Sequence, residues 1–187
     1  PILEMCPDIG TLSHISERLE ITLKNALCPH SRICGIIKET KQQIYVFRRK
    51  KYMGAWNYAV FDDDTAYDAL DDLKASAKII TDMEKYFDEV IQAKYVGYDE
   101  AHYALVSAAV IDSVINDIHH RCDEDDYFEW TKSLKHLDFS PIKQKAVKAI
   151  DTVLSNNSEL RELWEENLEL YEAWREDKLS IQERLRQ

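Results

Sequence analysis

The chain has 187 residues, with 24 Lys and Arg against 35 Asp and Glu, a net charge of −11 at pH 7 with histidine neutral. That acidity argues against direct binding to DNA or RNA, and no run of 18 apolar residues is present to cross a membrane. The four cysteines follow no recognisable secretory signal, so they read as free thiols in a reducing, cytoplasmic compartment.

Residues 1–52 hold nine Lys and Arg and five Asp and Glu, a net of +4; this leaves 15 and 30 of the chain totals for residues 53–187, a net of −15. Cys6, Cys28 and Cys34 and Pro1, Pro7 and Pro29 also precede Met53, so composition changes sharply there and marks a boundary. Two readings of 1–52 stand side by side. It is a small basic N-terminal extension, or it is upstream sequence translated through a start-site error, since Arg48-Arg49-Lys50 can be encoded as a purine-rich ribosome-binding site ahead of a Met53 codon. The segment suggests a helix over 12–27 and a strand over 43–47, neither long enough to bury a core alone. Cys28, His30 and Cys34 lack the paired two-to-four-residue spacing of a zinc site.

Beyond residue 53 the only glycines and proline are Gly54, Gly97 and Pro141, which predicts long helices with short connections. A first helix is expected over 65–75, with Asp63 or Asp64 as its N-cap and further carboxylates in its first turn. A second spans 76–95, with Ile79, Ile80, Met83, Phe87, Val90 and Ile91 on one stripe and Gly97 as its stop. Asp99 is expected to cap a third helix reaching about Ile118. That helix is apolar nearly all round, as the buried centre of a bundle must be. His119 to Asp126 reads as a charged loop, followed by a short helix to Leu137 and another from Ser140-Pro141 to Leu154. Ser158 then caps a last helix with Leu160, Leu163, Trp164, Tyr171 and Trp174 on its apolar face. The expected fold is all-α, a compact bundle of five to six helices around a buried helix at about 99–118, carried by an acidic domain over 53–187.

Two blocks carry a resemblance. Met53-Gly54-Ala55-Trp56 followed by Phe61, Asp64, Ala66, Asp68 and Asp72 forms the first, and Ser158-Glu159-Leu160-Arg161-Glu162-Leu163-Trp164 the second. Together they resemble the bacterial domain of unknown function 4259, and they bracket residues 53–187 in the right order. The loop glycines of that family fall at Asn57 and Ala59 here, its Asn falls at Asp63, and a central glutamate is replaced near Ala109. The resemblance implies a small cytosolic helical protein and brings no reaction with it. It also favours Met53 as the true start.

Gly54, Trp56, Asp64, Asp68, Asp72 and Trp164 are read as a structural motif. Trp56 is expected to be buried beside Gly54, with Asp64 and Asp68 bonding the backbone of 54–56 onto the bundle. The Asp62–Asp72 cluster lacks the spacing of a calcium loop, and the metal question stays open there. His119 and His120 are adjacent and so face different sides of a helix. A thiol–imidazole pair with Cys122 has no orienting acid in view. No phosphate-binding loop occurs and no cofactor is expected. The leading functional expectation is a non-enzymatic acidic interaction protein, for which an immunity protein covering a basic nuclease-type toxin is the model. Asp123, Glu124, Asp125 and Asp126, with Tyr127 and Trp130, are its expected binding residues, core packing being the other reading of the aromatics. The alternative is a metal-dependent hydrolase or other enzyme using the Asp62–Asp72 cluster or His119 and His120.

Overall fold

The computed structural model describes residues 54–187; the helix expected over 12–27, the strand over 43–47 and the Cys28–Cys34 stretch lie outside them. The described residues form an all-α bundle of seven α-helices: α1 Asp64–Ala75, α2 Ile79–Gln92, α3 Tyr98–Asn116, α4 Tyr127–Ser133, α5 Ser140–Val153, α6 Glu159–Glu165 and α7 Tyr171–Arg186, with a 3₁₀ turn, Leu134–His136, after α4.

The third helix is the centre, as its composition dictates. Thirteen of its 19 residues are buried, among them Leu105, Ala108, Ala109 and Ile111 with essentially no exposure. Alanines keep its surface low, so α1, α2, α5 and α7 all pack onto it. Its amphipathic neighbours each contribute one stripe: Ala66, Ala69, Leu70 and Leu73 from α1, Met83, Phe87 and Val90 from α2, and Ile142, Ala146, Ile150 and Val153 from α5.

Local signals mark three of the seven helix starts. Asp63 is the N-cap of α1, its carboxylate accepting from Thr65 N at 2.8 Å. Pro141 sits in the first turn of α5, and Ser158 caps α6 by accepting from Arg161 N at 3.4 Å. Helix α3 ends where Asp117 takes a left-handed conformation at φ 55°, which aspartate tolerates better than most residues.

The start of α3 differs from expectation. Gly97 is its N-cap and Asp99 lies in its first turn, while α2 already stops at Gln92. The donor at Tyr98 N is satisfied from a distance, by the Glu159 carboxylate at 3.0 Å. Val96 forms a parallel bridge with Ser158: Val96 N donates to Asn157 O and Glu159 N to Val96 O, both at 2.9 Å. The second sequence block is therefore the lid on the first end of the central helix.

The single C-terminal helix expected after Ser158 is two. Asn167 breaks it without any glycine or proline: its side-chain oxygen accepts from Leu170 N at 3.2 Å and its carbonyl from Tyr171 N at 2.9 Å. Trp164 and Trp174, buried on either side of the break, stack at 5.7 Å and fold α6 back against α7.

Candidate functional site

Residues 54–63 form a tight turn ahead of α1. Trp56 N donates to Asp62 O at 2.9 Å, Ala55 bridges Asp63, and Ala59 N donates to the Asp62 carboxylate at 2.9 Å. Val60 and Phe61 plug the turn into the core. Asp62 and Asp63 are buried, at 4% and 2% exposure, so their charges need partners. Asp62 pairs with Arg121; Asp63 accepts from Thr65 N and from the Tyr98 hydroxyl. Lys178, 1% exposed, reaches across from α7 and donates to Tyr58 O at 2.6 Å and to Asp177 at 2.9 Å. Burial pulls its ammonium below the usual lysine range, against the opposing pull of Asp177, Asp62 and Asp63.

The anchoring expected of Asp64 and Asp68 is thus performed by Asp62 and Asp63. Asp64 and Asp68 are both exposed. Trp56 is likewise not buried: it is 53% exposed, its ring stacked on Tyr67 at 6.1 Å. A Cβ on Gly54 would meet Asp63 at an ordinary 3.5 Å, so no close backbone approach requires glycine there. Trp56→Ala is expected to lower stability by only about 0.5–1 kcal/mol, the worth of one exposed stack, in a urea melt of the full chain. A loss above about 3 kcal/mol, the range of a buried aromatic, would mean that the ring is packed inside.

His102 lies beneath this turn on α3, 5% exposed. Its Nε2 is 3.6 Å from Asp63 and its ring 4.7 Å from that of Tyr98, yet neither ring nitrogen has a hydrogen-bond partner among the described residues. Burial drives its pKa down to about 4. It is therefore neutral at pH 7, and the approach to Asp63 is not an ion pair.

The stretch 123–130, a loop running into α4, divides. Asp123, Asp125 and Asp126 are exposed and Glu124 is half-buried, with Glu124 and Asp126 (at 2.7 Å) both paired with Lys74. Tyr127 is core, 4% exposed, with its hydroxyl 2.9 Å from Ser113 and its ring edge-on to Phe61. Trp130 is half-buried beneath Lys74, whose ammonium is 5.9 Å from the ring centre. Core packing is the reading that holds for Tyr127.

The two histidines part company. His119 packs its ring on Phe128, whereas His120 turns inward, its Nε2 2.9 Å from Asp112. Asp112 is fully buried on α3 and also accepts from Asn116 at 2.9 Å and, through both oxygens, from Arg184 on α7 at 2.7–3.1 Å. Burial pushes the Asp112 carboxyl up, but the bonds from His120, Arg184 and Asn116 outweigh it and hold the group below its usual range. The Cys122 thiol is pushed up by burial, away from an activated thiolate. Among the described residues no group of three or more His, Cys, Asp or Glu is placed to hold a metal ion.

One surface feature had no counterpart in the sequence reading. Tyr86 on α2 and Tyr103 on α3 meet edge to face at 4.9 Å, and the Tyr103 hydroxyl donates to Asp72 on α1 at 2.7 Å. They wall a hollow of about 190 Å³ whose other lining residues are Glu89, Asp99 and Glu100. A second hollow of about 440 Å³ shares Glu89 and Glu100 and adds Tyr95, Val96 and Gly97. No lysine or arginine lines either among the described residues. Lys85 approaches Glu89, at 3.5 Å, from one turn earlier on α2. Burial raises the hydroxyl pKa of Tyr86 and Tyr103, with Asp72 adding to both, and that of Tyr95 to about 12, with Glu162 adding there. Tyr86 and Tyr103 each have an acid three residues away on their own helix, Glu89 and Glu100 respectively, but the approach of the two helices that joins them into one hollow leaves no local signal.

The model of one family, described as Domain of unknown function (DUF4259), matches residues 54–177, well over half of the chain. No curated protein and no solved structure matches.

Proposed function

We propose, for a chain that belongs to the DUF4259 family and so inherits no assigned activity, that it is a non-enzymatic protein that binds a basic protein partner through exposed carboxylates. The observation that carries this reading is how the acids are distributed. The net charge of −15 over 53–187 is not spent on a reaction centre: the buried acids Asp62, Asp63 and Asp112 hold the fold together, while Asp64, Asp68, Asp71 and Asp72 remain exposed on one helix. Exposed like charges on one face raise the local concentration of a cationic partner and speed its encounter. A basic nuclease-type toxin is the partner class that such a surface fits, and an immunity role is its biological form. The enzyme alternative draws no support from the site geometry, because Asp62, Asp63 and Asp72 are bonded to separate partners and His119 and His120 diverge.

The test is to cross-link the tagged full chain in its own cells, identify what it captures, and measure association of the purified pair against salt. A basic partner whose association slows roughly tenfold or more between 0.05 and 0.5 M salt is the expected result. A neutral or acidic partner, or a rate indifferent to salt, would overturn the reading.

A further inference from the structure

We propose that the hollow between α2 and α3 is the seat for an arginine side chain presented by a basic segment of the partner; this rests on the reading above and says where on the surface it is realised. The walls are the rings of Tyr86 and Tyr103, and the rim is carboxylate: Glu89 and Glu100, with Asp72 behind Tyr103. Aromatic faces attract a cation by their quadrupole, and a guanidinium can stack on a ring while donating to carboxylates in its own plane. An ammonium does only the first part well. Tyrosine walls with an acid rim therefore select arginine over lysine.

Size and electrostatics narrow the occupant. A hollow of about 190 Å³ is room for a side chain rather than a single ion. The carboxylates are not arranged to ligate a bare metal, since no such group exists among the described residues. Anions are excluded by the rim. Lys85 and Glu89 are an exposed pair on one helix, weakly held and readily exchanged for an incoming guanidinium.

The adjoining hollow of about 440 Å³ gives the flanking chain a path past Tyr95 and Gly97. Val96 cannot offer its backbone there as a sheet edge, because its N–H and C=O are taken by Asn157 and Glu159. The segment is thus held by side chains. Gly97 keeps the path open, since a Cβ on it would run into the Glu100 carboxylate and displace a rim charge.

The experiment is fluorescence anisotropy with the full chain and three labelled Gly-Ser peptides that differ only in carrying three arginines, three lysines or three citrullines. The arginine peptide is expected to bind more tightly than the lysine peptide, and the neutral citrulline peptide not to bind. Glu89→Gln with Glu100→Gln is expected to weaken the arginine peptide about tenfold or more, as loss of charge-assisted hydrogen bonds does. Glu172→Gln with Glu176→Gln, at two exposed acids on α7, removes the same charge elsewhere and is expected to change binding less than about twofold. Thermal melts of both double variants check that the fold is kept, and Gly97→Ala supplies a variant that disturbs the rim at constant charge.

Equal weakening by the two double variants would overturn the hollow as the seat while leaving the charge-based reading standing. Equal binding of arginine and citrulline peptides would make it an apolar groove and overturn the proposal. Absence of arginine-peptide binding would also overturn it, and self-association of the full chain would then name a second copy as the occupant. Failure of the broader reading shows separately, in a partner association that ignores salt.

Discussion

Replacing Arg184 by methionine is expected to destabilise the full chain by about 3–5 kcal/mol, the cost of leaving one member of a buried charge pair behind. Asp112 sits fully buried in the middle helix, and Arg184 covers it with three of its hydrogen bonds, from Nε to both oxygens and from Nη2 to one. The methionine keeps most of the packing of the arginine stem, so the loss reports the charge rather than the volume. His120 and Asn116 remain and soften the effect, which places the outcome nearer 3 than 5 kcal/mol. Urea melts at pH 7 measure it. A second variant, Arg184→Met with Asp112→Leu, removes the stranded charge and should recover a large part of the loss. Equal destabilisation in both variants, or none in the first, would show that the network is not holding α7 to α3. The pH dependence has a definite sign. The folded Asp112 carboxyl titrates below its unfolded counterpart, so its stabilisation is complete above the unfolded pKa of about 3.9 and is lost as pH falls through the folded one.

His102 should make the fold sensitive to acid at a higher pH. Burial pushes its imidazole down to about 4; Lys178 adds to the depression and Asp63 and Asp99 oppose it. An unfolded histidine protonates near 6.5. As pH falls below that value the unfolded chain takes up a proton that the folded chain refuses, so stability is full above about 6.5 and declines toward 4. At 1.36 kcal/mol for each pH unit, the loss is about 2 kcal/mol by pH 5 and about 3 kcal/mol by pH 4. His102→Leu cannot titrate and should flatten this part of the profile in urea melts between pH 7 and 5. An unchanged slope in the variant would assign the acid sensitivity to other groups.

What was legible in the sequence was what is written locally. Apolar residues all round 99–118 can only be a buried helix, and Asp63, Pro141 and Ser158 mark helix starts because a cap acts on a backbone donor two or three residues away. Long-range polar pairing leaves no such trace. Nothing near Tyr98 announces that Glu159 will bond its backbone, and nothing near Asp112 announces Arg184. Lys178 is the partial exception: it interrupts the buried spacing of Trp174, Ile181 and Leu185 on α7, and a lysine at a core position asks for a partner. Trp56 went astray for a different reason. A place in a motif does not specify burial, and the buried residues of this turn include Phe61, Asp62 and Asp63. The break at Asn167 was missed because an asparagine side chain can stop a helix as well as a glycine, without the composition signal.

The capping of α3 by Glu159 bears on how the chain is made. Ribosomes deliver residues in order, and the first end of the central helix waits for a carboxylate that arrives 61 residues after Tyr98. Until then the helix at the centre of the core stands with its leading turn open to water. The same delay applies to the guanidinium at 184 and the ammonium at 178, both of which reach back to groups synthesised long before. The nascent bundle is thus closed from its tail, and its last helix acts as the latch.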